Sequence, residues 1–132
     1  MNIKDKVYYW LDIADYDLKT AISMHKSGRY LYTIFTCQQS IEKLLKALIL
    51  KKSGKEAPKS HNLVFLQSIS GEVFPQYQIK IISELTAFYI EGRYPTYKQK
   101  LSKLIDKKKS QVILSKTKEL FKCIRSKAEQ EK

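Results

Sequence analysis

Glycine, proline and cysteine are all scarce in this chain: 132 residues contain four Gly, three Pro and two Cys. Pro58, Pro75 and Pro95 fall in stretches that read as connections, so nothing breaks the long segments between them. Cys37 and Cys123 stand in no metal-ligand spacing and near no histidine at helical spacing, which makes them free thiols with packing roles. No apolar run approaches the roughly 18 residues that a membrane helix needs. The N-terminus mixes Lys4, Asp5 and Lys6 with aromatic residues where a leader would place an apolar stretch. A cytoplasmic protein without membrane association is expected. Strand-type alternation and internal repeats are missing too.

What is present is helical: Leu, Ile, Lys, Glu and Ala dominate. A chain of this length buries roughly 65 to 70% of its unfolded surface, enough for one core without staples. A single domain over residues 1–128 with a frayed tail at 129–132 is expected. On the first helix, about Ile3 to Lys26, Val7, Leu11, Ala14, Leu18, Ala21 and His25 recur at alternating steps of four and three. A second helix runs from about Tyr30 to Lys52, and a linker as short as Ser27-Gly28-Arg29 turns the two antiparallel. Ser60 reads as the N-cap of a short third helix from His61 to Ile69, closed by Gly71. A fourth covers about Gln76 to Glu91 with Ile81, Leu85 and Phe88 on one face. A last covers about Asp106 to Ala128 with Ile113, Thr117, Leu120 and Ile124 inward. The fold class is therefore all-α, an up-and-down bundle of four to five helices built on a long antiparallel hairpin.

The net charge of +12 is unevenly spread. Residues 98–132 hold twelve Lys/Arg against four Asp/Glu, centred on Lys107-Lys108-Lys109, while the rest of the chain is nearly balanced. Such a stripe attracts phosphates. The competing reading is a solvated lysine-rich helix in a chain whose Ile and Tyr content fits an AT-rich genome.

The second helix is the most informative segment. Leu31, Ile34, Cys37, Ile41, Leu44, Leu45, Leu48 and Ile49 form two adjacent apolar strips, which buries the helix on two sides. Gln38, Gln39, Glu42, Lys43 and Lys46 are left for one remaining surface. Gln39, Glu42 and Lys46 follow at steps of three and four, and an exposed Glu42–Lys46 pair in this orientation stabilises by only ~0.3 kcal/mol. The alternative is that these amides and charges cross a dimer interface or line a cleft.

Four landmarks then fall in order: Trp10-Leu11 with Ala14 and Asp17-Leu18; Phe35-x-x-Gln-Gln-x-x-Glu-Lys-x-x-Lys-Ala-Leu; Ser60-His61-Asn62-Leu63; and Gly92-Arg93-Tyr94-Pro95. Together they resemble the HEPN family over residues 5 to 125. The resemblance implies a helical bundle, commonly a homodimer, associated with nucleotide or RNA binding. Many members are encoded beside a minimal nucleotidyltransferase in a toxin–antitoxin pair. The toxic members are metal-independent ribonucleases, marked by an Arg followed within a short window by His.

Here the chain departs from that pattern, because Arg93 is followed by Tyr94, Pro95, Thr96, Tyr97, Lys98, Gln99 and Lys100. Arg can stabilise a phosphorane but, always protonated, does not activate a 2′-OH; Tyr97 and Lys98 ordinarily titrate near 10. Catalysis is weakened and recognition is left. Arg93 offers a planar fork for phosphate, and Tyr89, Tyr94 and Tyr97 offer rings for stacking, with Lys98 beside them. Alternatively the tyrosines fill the bundle end and Arg93 bonds to Glu91 or to helix-terminal carbonyls.

Other candidates have simpler readings. His61 is either a general base brought near Arg93 by the fold or part of ordinary capping at a helix start. Asp12, Asp15 and Asp17 read as a solvated acidic face, and neither a metal nor a cofactor is expected. The functional expectation is a nucleotide- or RNA-phosphate-binding protein, a homodimer partnered by a nucleotidyltransferase. A toxin ribonuclease with an incomplete Arg…His motif and a ligand-free protein-docking adaptor are the rivals.

Overall fold

Residue patterning at the first linker fixes the architecture. A computed structural model describes residues 2–92 and 102–129. Helix α1 spans Ile3–Lys26 and begins where the Asn2 side chain accepts a hydrogen bond from the Asp5 amide at 2.8 Å. It ends in a Schellman arrangement: the Arg29 amide donates to the Met24 carbonyl and the Gly28 amide to the His25 carbonyl, with Gly28 at φ 79°. That left-handed position reverses the chain, and α2, Tyr30–Ser53, returns along α1 as a hairpin. Each helix has 24 residues, about 36 Å at 1.5 Å per residue.

Helix α2 is the axis of the molecule. Both expected apolar strips are inside: Ile34, Cys37, Ile41, Leu44, Leu45 and Leu48 are fully buried, and α1, α3, α4 and α5 all pack against α2. Its left-handed terminus lies at Gly54, whose amide donates to the Leu50 carbonyl. Helices α3 (Leu63–Ser68), α4 (Gln76–Gly92) and α5 (Lys107–Glu129) complete the bundle. No strand occurs among the described residues. From α5, Ile113, Thr117, Leu120 and Ile124 point inward as their spacing requires, with Phe121 and Ala128 beside them.

Several helix ends differ from the sequence reading by one or two residues. Helix α3 starts two residues later than His61, because Asn62 rather than Ser60 is its N-cap: the Asn62 Oδ1 accepts from the Phe65 amide at 3.1 Å. Ser60 instead accepts from the Asn62 amide in the preceding turn. Asp106 lies just outside α5 and caps it by accepting from the Lys109 amide at 2.8 Å. Glu129 remains helical and pairs with Arg125 at 2.6 Å.

Candidate polar site around Glu42 and His61

The polar residues of α2 do not form one exposed face. Glu42 is 1% exposed and Gln38 fully buried, whereas Gln39 alone is turned to solvent. The reason is geometric: helices pack on α2 from more directions than its two apolar strips require, so Gln38 and Glu42 fall beneath the segment leading into α3 and Lys46 lies toward Trp10 of α1. The Glu42–Lys46 pair is therefore no exposed surface bridge. Lys46 is 9% exposed, its Nζ lies 3.3 Å from Glu42 Oε2, and it also sits over the Trp10 ring at 5.7 Å.

Glu42 is the hub. Its Oε1 accepts from Gln38 Nε2 at 3.2 Å and faces His61 Nδ1 at 2.9 Å, while Oε2 meets Lys43 Nζ at 3.4 Å and Lys46 Nζ at 3.3 Å. Burial pushes this carboxyl up, but the His61 hydrogen bond, the ammoniums of Lys43 and Lys46 and the Gln38 amide outweigh it, and the net shift is downward. Glu42 is thus an ionised carboxylate at neutral pH. An ionised carboxylate only accepts, so the proton between the two side chains resides on His61 Nδ1.

His61 is held twice. Gln38 Nε2 also donates to the His61 backbone carbonyl at 2.9 Å, so one buried amide ties the backbone and the carboxylate that ties the ring. Both acceptors demand the amide nitrogen, which fixes the orientation of Gln38 and leaves its Oε1 buried without a partner among the described residues. Despite this anchoring, the His61 side chain is 59% exposed. Its ring lies 5.5 Å from Tyr89 on α4, and Tyr89 lies 6.5 Å from Phe35 on α2.

Helix α1 supplies the second acid. Asp17 is half-buried, and burial raises its carboxyl above the ordinary range, opposed by Lys43 and reinforced by Glu42. Asp17 thus feels both Glu42 and Lys43, and with Lys46 these side chains make a group of two acids and two ammoniums. Asp15 is engaged elsewhere, with Lys19 at 3.0 Å and Arg125 at 3.8 Å. No cluster of metal-ligating side chains occurs among the described residues.

Of the expected site residues, the fold brings Gln38, Glu42, Lys46, His61 and Tyr89 together and leaves Gln39 outside. Arg93, Tyr94, Tyr97 and Lys98 lie outside the described residues. His25 is bonded through Nδ1 to Ser110 at 2.8 Å and joins α1 to α5. The role of Lys43 was not legible in the periodicity, since it belongs to neither step of three nor step of four from Glu42. Its adjacency to a glutamate was the only signal.

An all-α bundle built on a long antiparallel hairpin defines the class of protein. The HEPN domain family matches residues 7–127, and the chain belongs to that family. Two solved structures share the fold. TT1696 from Thermus thermophilus superposes with a TM-score of 0.80 at 22% identity, covering 96% of this chain and 99% of that one. ST0689, an archaeal HEPN homologue, superposes with a TM-score of 0.75 at 16% identity, covering 98% and 99%. No curated protein matches the chain in sequence. No helix among the described residues is long and apolar enough to cross a membrane.

Proposed function

We propose that this protein binds nucleotide or RNA phosphates where α4 ends beside α2 and the entry to α3, as a homodimer partnered by a nucleotidyltransferase-domain protein. One observation supports this reading: aromatic and cationic groups converge there. Tyr89 packs its ring against His61 and Phe35 at the edge of the Lys43–Lys46 group, and Arg93 follows Gly92, the last residue of α4, in sequence. Rings stack on bases whatever their identity, and a guanidinium grips phosphate through two parallel hydrogen bonds. The basic excess of residues 98–132 adds a long-range attraction for polyanions. The family resemblance supports the dimer and the nucleotidyltransferase partner.

Titration of labelled single-stranded RNA with the full chain, at low and physiological salt, tests the proposal. Binding should weaken as salt rises, and Arg93→Ala should lower affinity about tenfold and reduce the salt slope by roughly one contact. Tyr89→Ala should cost a base-stacking interaction, about 1–3 kcal/mol. Salt-insensitive binding, or affinity unchanged in both variants, would remove the phosphate-and-stacking reading.

A further inference from the structure

We propose that the furrow between the start of α4 and the middle of α5 is a docking groove for an extended acidic segment of a partner protein, seated by one apolar side chain. The furrow exists because α4 and α5 each pack mainly against α2 and meet one another only sparsely. Its floor is Gln78 and Ile81 of α4 and Leu120 of α5, around a volume of about 290 Å³. Tyr77 on its wall precedes Tyr89 by 12 residues of α4, about 18 Å at 1.5 Å per residue, so the groove is separate from the Glu42–His61 site.

Gln78 is the observation that points to a ligand. Its side chain lines the groove and is only 6% exposed, yet its Oε1 is buried with no hydrogen-bond partner among the described residues. The local sequence explains this. The Pro75 carbonyl accepts from the Ile79 amide, which makes Pro75 the N-cap of α4 and Gln78 the third residue of the helix. A glutamine at that position ordinarily reaches back to the amide of the N-cap, and proline has no N–H to give. The carboxamide is left facing the groove with an acceptor unused, at a cost in stability. A peptide group supplies what it lacks: an N–H and a C=O side by side, which pair with the two ends of a carboxamide whichever way its terminal torsion is turned. Only an extended segment has these groups free, because a helix uses its own internally.

The remaining side chains fix the chemistry of that segment. Ile81 and Leu120 give the groove an apolar floor, and Tyr77, 69% exposed, gives it an aromatic wall. The volume falls just below the ~300–1,000 Å³ of small-molecule pockets and suits one aliphatic side chain with its backbone. Lys80 and Lys116 stand exposed at the rim, one on each helix, and neither makes an ion pair among the described residues. Lys43, Lys46, Lys52, Lys109 and Lys127, by contrast, all have acidic partners. Glu119 is the one acid lining the groove, so the rim is net positive, and the basic excess of residues 98–132 adds attraction at longer range. Carboxylates on both sides of the apolar anchor meet a lysine on each wall. A phosphate backbone carries neither an aliphatic group for the floor nor an N–H for Gln78.

The test is fluorescence anisotropy of a labelled nonapeptide, a central leucine with four glutamates on each side, titrated with the full chain. Saturable binding is expected, about tenfold tighter than that of the same peptide with glycine at its centre. Lys80→Glu and Lys116→Glu should each lower affinity about tenfold. Gln78→Leu keeps the volume and removes the carboxamide; affinity should fall about fivefold while Tm stays the same or rises, a combination that a merely structural role for Gln78 would not give. No binding by the wild type, or affinity unchanged in Gln78→Leu, would overturn the inference. So would equal binding of the leucine and glycine peptides, which would show only the attraction of a chain of net charge +12 for polyanions. Displacement of the peptide by single-stranded RNA whose own affinity falls in Lys80→Glu and Lys116→Glu would assign the groove to nucleic acid instead.

Discussion

Glu42 Oε1 and His61 Nδ1 meet at 2.9 Å across 19 positions of sequence, one side chain buried and the other open to solvent. The contact joins the middle of the central helix to the segment that enters α3. It couples the stability of the bundle to the geometry of its candidate site, and both can be measured on the same variants.

Substituting Glu42 by Gln should destabilise the protein. Two ammoniums lose their buried counter-charge, a loss of about 1–3 kcal/mol given that both lysines keep some solvent access, and Tm should fall by several degrees. The pH dependence has a definite sign. The Glu42 carboxyl lies below its ordinary range in the fold, so its stabilisation is complete above about pH 4.5 and disappears as pH falls through the lowered folded value. Thermal melts of wild type and variant at a series of pH values should converge in acid. Parallel curves down to the most acidic stable pH would refute the assignment.

Asp17→Asn should do the opposite. Because burial dominates at Asp17 and raises its carboxyl, ionisation disfavours the folded state at neutral pH, and the neutral amide removes that cost. Tm at pH 7 should be unchanged or slightly higher, with the difference vanishing as pH falls below the unfolded value. A clear drop in Tm would mean that the Asp17–Lys43 attraction outweighs burial.

Asn62→Ala removes the cap of a helix only six residues long. The loss should be about 0.5–2 kcal/mol, and the looser α3 entry should release the His61 backbone from Gln38. Hydrogen exchange should accelerate at the amides of α3 well before those of α2. Uniform acceleration across the bundle would show that the cap supports the whole fold instead of its local segment.

The two thiols should differ in reactivity. Cys37 is fully buried between α2 and α5, and burial pushes its thiol up to about 12 against the influence of Thr117 and Lys118, whereas Cys123 is only half-buried. A disulfide reagent should titrate one thiol rapidly in the native protein and both in denaturant. A Cys37→Ser variant that loses the rapid reaction would reverse the assignment.

The apolar periodicity was enough to specify the bundle. Leu31, Ile34, Ile41, Leu44 and Leu48 have no solvent-exposed alternative once α1 is folded back by a linker of three residues, and the outcome follows from burial alone. The α5 face was equally legible, since Ile113, Thr117, Leu120 and Ile124 repeat at helical steps. The capping residues were not: Ser60, Asn62 and Asp106 are all competent caps, and only the backbone path selects which one sits at the helix edge.

The candidate site was legible as a set of residue types and illegible as an arrangement. Sequence spacing placed Gln39, Glu42 and Lys46 on one line of α2, yet the line that the fold covers runs through Gln38, because it is the approach to α3 that lies over it. Whether Glu42 meets water or His61 depends on a contact between segments 19 residues apart, and no local pattern encodes that distance. Local periodicity determined which faces of each helix are apolar, since burial acts on every residue by its own chemistry. The meeting of a carboxylate, an amide and an imidazole from different elements was decided by tertiary packing, since hydrogen bonds require positions that only the assembled bundle supplies.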